Sequence, residues 1–328
     1  MKQRIPSLDG LRAFSIAFVL LAHFGKAHWM FAYAGFGVMT FFVISGYLIT
    51  SLMLREEARA GSVSVKAFYI RRAYRILPVA YLYLAVLTVV DRHTIPAHDL
   101  IFSWTYLACY LPHVPWNLAH LWSLSVEEQF YLLWPLVFVF GKSKRFAWGA
   151  VIVAPFVRLT FNHLGYYNFA NSSFPAVLDS IAVGCLLALY EPELRKFEAV
   201  FRSSYSALVW IFVLAIPAVQ LHLSGPILNA PIPLYNFAVA FCIRSAISVK
   251  PWALNNRVAV WLGHLSYSLY VWQMPFSNKA YGLSWPVGIA AALVAACISY
   301  YAIERPILNL RDRRWKPTPA IPSEAPAI

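Results

Sequence analysis

Apolar stretches follow one another from residue 11 almost to the end of the chain, separated by short polar pieces that carry most of the charge. The stretches fall at 11–24, 33–53, 76–90, 122–140, 146–163, 174–190, 206–223, 234–249, 258–275 and 284–303. Each is near the ~20 residues that a helix needs to cross a bilayer. The pattern predicts an all-α polytopic integral membrane protein with about ten transmembrane helices. Ala32-Tyr33-Ala34 resembles a signal-peptide cleavage site, but Asp9 and Arg12 intrude on the first stretch, which reads as a retained span.

One further apolar piece, 99–111, is short and runs into Leu111-Pro112-His113-Val114-Pro115-Trp116. If it does not cross, twenty Lys and Arg fall in loops on the side of the N-terminus and three on the other. If it crosses, that division collapses. The positive-inside rule therefore predicts cytoplasmic N and C termini and a re-entrant or surface element near 99–121 on the outer face.

Composition agrees. The chain is 60% hydrophobic and 12% charged, which excludes a disordered polymer and argues against a water-soluble enzyme. Twelve Trp, 19 Tyr and 23 Phe suit a protein that meets two membrane–water interfaces. The net charge of +13 is accounted for by basic loops, so nucleic acid is not an expected partner and the lipid bilayer is. Cys109, Cys185, Cys242 and Cys297 are scattered through apolar segments and indicate neither a disulfide framework nor a zinc site. Residues 1–310 read as one membrane domain and 311–328, rich in Pro and Ala, as a disordered cytoplasmic tail. Nothing in the sequence sets an oligomeric state.

Against so apolar a background, the ionisable residues near the spans carry the information. Arg12 and His23 bracket the first span, about 16 Å apart along a helix. A snorkelling arginine and an interfacial histidine are the bland alternatives. Arg71, Arg72 and Arg75 sit in an arginine- and tyrosine-rich stretch, Phe68–Pro78. Such a stretch can set topology or bind anionic lipid. Its guanidinium forks also suit a polyanion, such as a nucleotide-linked donor arriving from the cytosol. Ser125-Val126-Glu127-Glu128 has capping-box spacing, yet two adjacent carboxylates exceed what a cap requires. Arg158 and Asp179 lie within spans, where a buried ion pair would account for both without chemistry. His28, His93, His98, His113, His120, His163 and His222 fall in loops or at loop edges, and most read as solvated bystanders. No HExxH or other metal spacing is present.

A histidine at one face and an anion clamp at the other suit direct transfer from an activated donor to an acceptor hydroxyl, with His23 as general base. There is no GxSxG elbow. The residues then resemble a known family. Ser7-Leu8-Asp9-Gly10-Leu11-Arg12-Ala13 with Arg12-x10-His23, Phe41–Ile49, Arg72-x-x-Arg75, Trp122–Tyr131, Leu262–Tyr270 and Ile303-Glu304-Arg305-Pro306 are similar, in order, to motifs of the acyltransferase-3 family of integral membrane acyltransferases. The resemblance implies O-acyl transfer, usually of acetyl, from acyl-CoA to a hydroxyl of a carbohydrate or glycoconjugate acceptor, without a metal. It implies a catalytic His23 partnered by Arg12, with Arg72 and Arg75 handling the donor. The placement of the other charges adds Arg71 to the donor clamp and Glu127 or Glu128 as the group that orients the imidazole. Asp9, Ser125, Arg158 and Asp179 complete the candidate set as substrate-binding or supporting residues. The expected location is a bacterial inner (plasma) membrane.

Two positions depart from the family pattern: Val177 stands where Arg is frequent, and Gln273 where His is frequent. Many relatives also carry a C-terminal SGNH-type hydrolase domain, and the expectation here is the stand-alone form. The rival reading is a transporter or flippase for a lipid-linked saccharide, with Arg12, Arg158 and Asp179 lining its pathway.

Overall fold

The computed structural model describes residues 5–25, 30–91, 93–220 and 232–314. Lys26, His28, Arg92, His222 and residues 315–328 of the tail expected at 311–328 lie outside the described residues, while Arg311–Arg314 belong to a helix. Within them the chain is all-α. Helices α1 (Pro6–Phe24), α2 (Met30–Ala60) and α3 (Val65–Val90) come first. Then follow α4 (Ala97–Trp104), α5 (Leu121–Val139), α6 (Ser143–His163), α7 (Tyr167–Ser172) and α8 (Phe174–Leu189). After the short α9 (Glu191–Leu194) and α10 (Glu198–Arg202) come α11 (Ser206–Gln220) and α12 (Ile232–Val249). The chain closes with α13 (Trp252–Asn255), α14 (Arg257–Ser277), α15 (Trp285–Ser299) and α16 (Arg305–Arg314), the last two joined by a π turn over Tyr300–Glu304.

Ten crossings is too many. Among the described residues, six helices are long and apolar enough to span a membrane: Pro6–Phe24, Tyr33–Ala60, Val65–Val90, Tyr167–Leu189, Ile232–Val249 and Trp285–Arg314. A seventh is reached if Glu191–Arg202 and Ser206–Pro217, bent by 91°, form one broken span. The physical reason lies in the other segments. Helix α11 has 15 residues, about 22 Å against a hydrocarbon core of about 30 Å. Helices α5, α6 and α14 are long but polar, carrying Glu127 and Glu128, Arg145 and Arg158, and His264 and Gln273 respectively. Counting every Trp and Tyr as apolar inflates the sequence estimate. The twenty-to-three division of basic residues, and with it the placement of both termini in the cytoplasm, rests on ten crossings and falls with that number. The region near 99–121 holds α4 and two single 3-10 turns, Ala108–Tyr110 and Trp116–Leu118.

Small residues set the closest helix approaches, as expected where lipid offers no hydrophobic drive for association. A methyl group on Gly46 of α2 would lie 2.0 Å from the Ile181 carbonyl of α8, and one on Gly184 of α8 would lie 2.0 Å from the Val43 carbonyl. The two backbones therefore touch, and the helices run parallel, with Thr40 level with the Asp179 end and Tyr47 nearer Glu191. Helix α8 is buried along its length, whereas α15 buries only Gly288, Ala292, Ala296 and Ser299 and carries an apolar outer surface. A helix apolar on every side belongs at the centre of a bundle.

Helices α1 and α14 pack against each other in parallel. Gly263 leaves no room for a side chain against the Asp9 carbonyl, 2.0 Å from where its Cβ would sit. Caps fix the starts of two helices that line the site. The Ser64 hydroxyl accepts from the Ala67 amide (3.2 Å) at α3, and the Asn256 side chain accepts from the Ala259 amide (2.9 Å) at α14. The turn Trp116–Leu118 is tied across the bundle end by Asn117. Its side-chain amide donates to Asp91 (2.7 Å) and Tyr281 (3.1 Å), and its carbonyl accepts from the Tyr83 hydroxyl (2.5 Å).

Candidate functional site

Arg12 and His23 are eleven residues apart on α1, three helical turns with about 20° to spare, so they share one face. That face meets α14 in three polar steps. Asp9 pairs with His264 (3.4 Å), the Arg12 Nε donates to the Ser266 hydroxyl (3.2 Å), and His23 Nδ1 meets the Gln273 side-chain oxygen (3.0 Å). Two polar clusters result, one about each end of this seam.

The cluster around Arg12 gathers arginines from α1 and α3. Arg12 lies within electrostatic reach of Arg75, Asp9, Glu127 and Glu304. Arg72 lies within reach of Arg75, Glu127 and Glu128, and its guanidinium carbon stands 5.7 Å from the centre of the Phe68 ring and 5.3 Å from that of Tyr131. Such stacking holds a guanidinium flat and leaves its edge available for an anion. Glu127 accepts from the Ser45 hydroxyl (2.7 Å), which also bonds the Tyr131 hydroxyl (2.9 Å). Glu304, held by the π turn, accepts from the Ser268 hydroxyl (2.8 Å). Arg71 points elsewhere and pairs with Glu56 (2.6 Å).

The cluster around His23 is aromatic. The Trp116 ring stands edge-on to His23, centroids 5.7 Å apart. His120 sits between Tyr83 and Tyr270, each ring 5.4 Å away, and Trp272 lies 5.4 Å beyond Tyr83. The His120 carbonyl accepts from the Tyr270 hydroxyl (3.0 Å). Burial, reinforced by neighbouring His23, pushes the His120 imidazole down to about 3, so it is neutral at physiological pH. Four buried nitrogens here lack a hydrogen-bond partner: His120 Nδ1 and Nε2, Trp272 Nε1 and Gln273 Nε2. A buried polar atom without a partner calls for an explanation, and four on one wall beside His23 leave donors and acceptors free to meet a bound molecule.

The remaining candidates are placed differently. Glu127 faces the arginines, while His23 makes its hydrogen bond to the Gln273 side-chain oxygen, which accepts. Glu128 has an unpartnered Oε1 near Tyr81 and Tyr106. Ser125 donates to the Leu121 carbonyl one turn back (2.9 Å). Because α5 begins at Leu121, Ser125 is already inside the helix and the capping box does not form. Arg158 and Asp179 form a two-pronged pair at 2.8 and 2.7 Å, closed further by the Ala176 carbonyl and the Asn236 amide.

Gln273 and His120 are the residues that sequence reasoning missed. Gln273 stood out only as a departure from a motif. His120 was assigned to solvent because it lies in a loop, yet it is 3% exposed. Among the described residues, no group of three His, Cys, Asp or Glu side chains could hold a metal ion.

A family model described as an acyltransferase domain matches residues 5–304. The O-acetyltransferase OatA of Staphylococcus aureus strain NCTC 8325 / PS 47 is 31% identical over 354 residues, covering 92% of this chain and 57% of its own length. A protein of S. aureus strain COL, named for O-acetyltransferase activity, is 28% identical over 365 residues, covering 96% of this chain and 59% of its own length. The chain thus spans less than three fifths of the length of these relatives. No solved structure matches it. With nearly the whole chain matched and the motif residues gathered along one helix seam, this integral membrane protein belongs to the acyltransferase-3 family.

Proposed function

We propose that the protein transfers an acyl group from acyl-CoA to a hydroxyl of a carbohydrate or glycoconjugate acceptor. The observation that carries this reading is the shared face of Arg12 and His23, which joins an arginine cluster to an imidazole through the bundle. The phosphates of the donor dock on Arg72 and Arg75, with Arg12 deeper in the seam. Arg71, already paired with Glu56, contributes little. On this reading the arginine end is the side from which acyl-CoA enters, because its phosphates need the guanidinium groups. The pantetheine arm follows α1 for the ~16 Å to His23.

At His23 the acceptor hydroxyl gives its proton to the free ring nitrogen, Nε2, and its oxygen attacks the thioester carbonyl. The carbon–sulfur bond then breaks, and CoA leaves as the thiolate. General base catalysis of this kind contributes about 10²–10⁴-fold. A site walled by Trp116, Trp272, Tyr83 and Tyr270 keeps water from the thioester. Acetyl is the acyl group this reading favours, since the relatives are named O-acetyltransferases. The membrane on this reading is a bacterial plasma membrane.

The test uses purified protein in proteoliposomes with radiolabelled acetyl-CoA and a cell-envelope glycan extract. Transfer of label to glycan, lost in His23→Ala, is the expected result. Movement of saccharide across the bilayer without label transfer would mean transport instead. Full transfer by His23→Ala would overturn the assignment of the base.

A further inference from the structure

We propose that Gln273 is the positioning residue for His23, holding the imidazole in the tautomer that leaves Nε2 bare to act as the base. The inference rests on the acyl-transfer reading and concerns the part of the site the family motifs do not predict for this chain. The argument starts from hydrogen-bond chemistry. A side-chain amide oxygen can only accept, so the 3.0 Å contact between Gln273 Oε1 and His23 Nδ1 requires the proton on Nδ1. The other nitrogen then carries the lone pair. This is the logic by which a histidine's second nitrogen is fixed by its partner.

The surroundings leave Gln273 alone in this role. Glu127, the carboxylate expected to orient the imidazole, bonds Ser45 and interacts with Arg12, Arg72 and Arg75. The environment of His23 is set by its burial, by Gln273 and by His120, with Trp116 edge-on to the ring. Trp272, Tyr83 and Tyr270 complete the wall. Of these, His120, Tyr83 and Tyr270 titrate, and His120 is neutral at physiological pH. Gln273 is fully buried, so no water competes for its oxygen.

The amide has a second consequence. When Nε2 takes the acceptor proton, the resulting imidazolium keeps its Nδ1–H bond to a neutral oxygen. A dipole stabilises the cation less than a carboxylate would. His23 therefore passes the proton on readily, to the departing thiolate or to water. Glutamine in place of a charged partner tunes the base towards fast release of its proton.

The experiment compares wild type, Gln273→Met, Gln273→Glu and His23→Ala in proteoliposomes. It measures acetyl transfer from acetyl-CoA across pH 5–9, with thermal unfolding in detergent as a check on folding. Methionine keeps the volume and removes the acceptor. Gln273→Met should lower kcat by about 10- to 100-fold, the range commanded by the partner of a histidine's second nitrogen. Ionised glutamate can only accept, so Gln273→Glu should retain activity while the acid limb of its kcat profile moves up by about one pH unit, because a carboxylate favours the imidazolium. A purely structural role for Gln273 would not move that limb. Wild-type kcat in folded Gln273→Met, or an unshifted limb in Gln273→Glu, overturns the inference. Were Gln273→Met not to fold, the limb position in Gln273→Glu decides. His23→Ala separates the two levels: if it is active, the acyl-transfer base is misassigned, and if it is inactive while the Gln273 variants behave as wild type, this inference alone fails.

Discussion

Two polar pairs bridge helices in this bundle, and they differ in what they leave unused. Arg158 and Asp179 bond each other twice, and the Ala176 carbonyl and the Asn236 amide add one further bond to each, so both charged groups are held on more than one side. His23 and Gln273 share a single contact, and around them four buried nitrogens have no partner. Both pairs sit in low-dielectric surroundings, where an unmet hydrogen bond is expensive. A closed pair is what a fold needs to hold α6 against α8. An open pair costs stability, and a ligand recovers that cost.

The sharpest way to break the contrast is to remove one member of each pair. His23→Ala should abolish most transfer, by about 10²–10⁴-fold, without lowering the thermal stability measured in detergent. Arg158→Ala should instead destabilise the fold by about 3–5 kcal/mol, since it strands Asp179 as an unpaired buried carboxylate. Replacing both partners, Arg158→Met with Asp179→Leu, should recover much of that loss. If Arg158→Ala melts like wild type, the pair is not the structural clamp its geometry describes.

His120 offers the next largest effect, and it is a pH effect. The unfolded chain protonates this imidazole near its ordinary value of about 6.5, whereas the folded chain resists down to about 3. Between those values the unfolded state binds the extra proton, so stability falls as pH drops through that window and is fully present above it. His120→Phe can occupy the slot between Tyr83 and Tyr270. Thermal melts at pH 7 and pH 5 should show a smaller acid loss in His120→Phe than in wild type. Equal losses would place the titrating group elsewhere.

These residues also show how far the sequence could lead. The Arg12–His23 face was legible, because eleven residues is close to three whole turns of helix. The all-α membrane class was legible from hydropathy. The number of crossings was not, since α5, α6 and α14 hide charged and amide side chains among Trp, Tyr and Leu, and a window that counts apolar letters cannot see where they point. His120 escaped for a related reason. Loop residues are ordinarily solvated, but the turn Trp116–Leu118 is pinned by Asn117 over the bundle end, and that burial depends on contacts with Asp91 and Tyr281 far away in the chain. Ser125 and Glu128 matched a capping box in spacing, yet α5 starts four residues before Ser125.

The arginines give the smallest and most discriminating comparison, because three neighbours in sequence divide in space. Arg75 lies with Arg12, Glu127 and Glu304, and Arg72 is stacked between Phe68 and Tyr131. Arg75→Ala should raise KM for acetyl-CoA about tenfold, the equivalent of about 1.4 kcal/mol lost from a charge-assisted contact. Arg71 is spent on Glu56 at 2.6 Å, with 37% of its side chain exposed. A pair that exposed is worth at most about 1 kcal/mol to the fold. Because Arg71 is already committed to Glu56, Arg71→Ala should change KM less than about twofold, the equivalent of about 0.4 kcal/mol. Should Arg71→Ala weaken the donor as much as Arg75→Ala, the ion pair to Glu56 must open when acyl-CoA binds. The clamp would then be three arginines wide, and Glu56→Gln, which frees Arg71 in advance, would lower KM below the wild-type value.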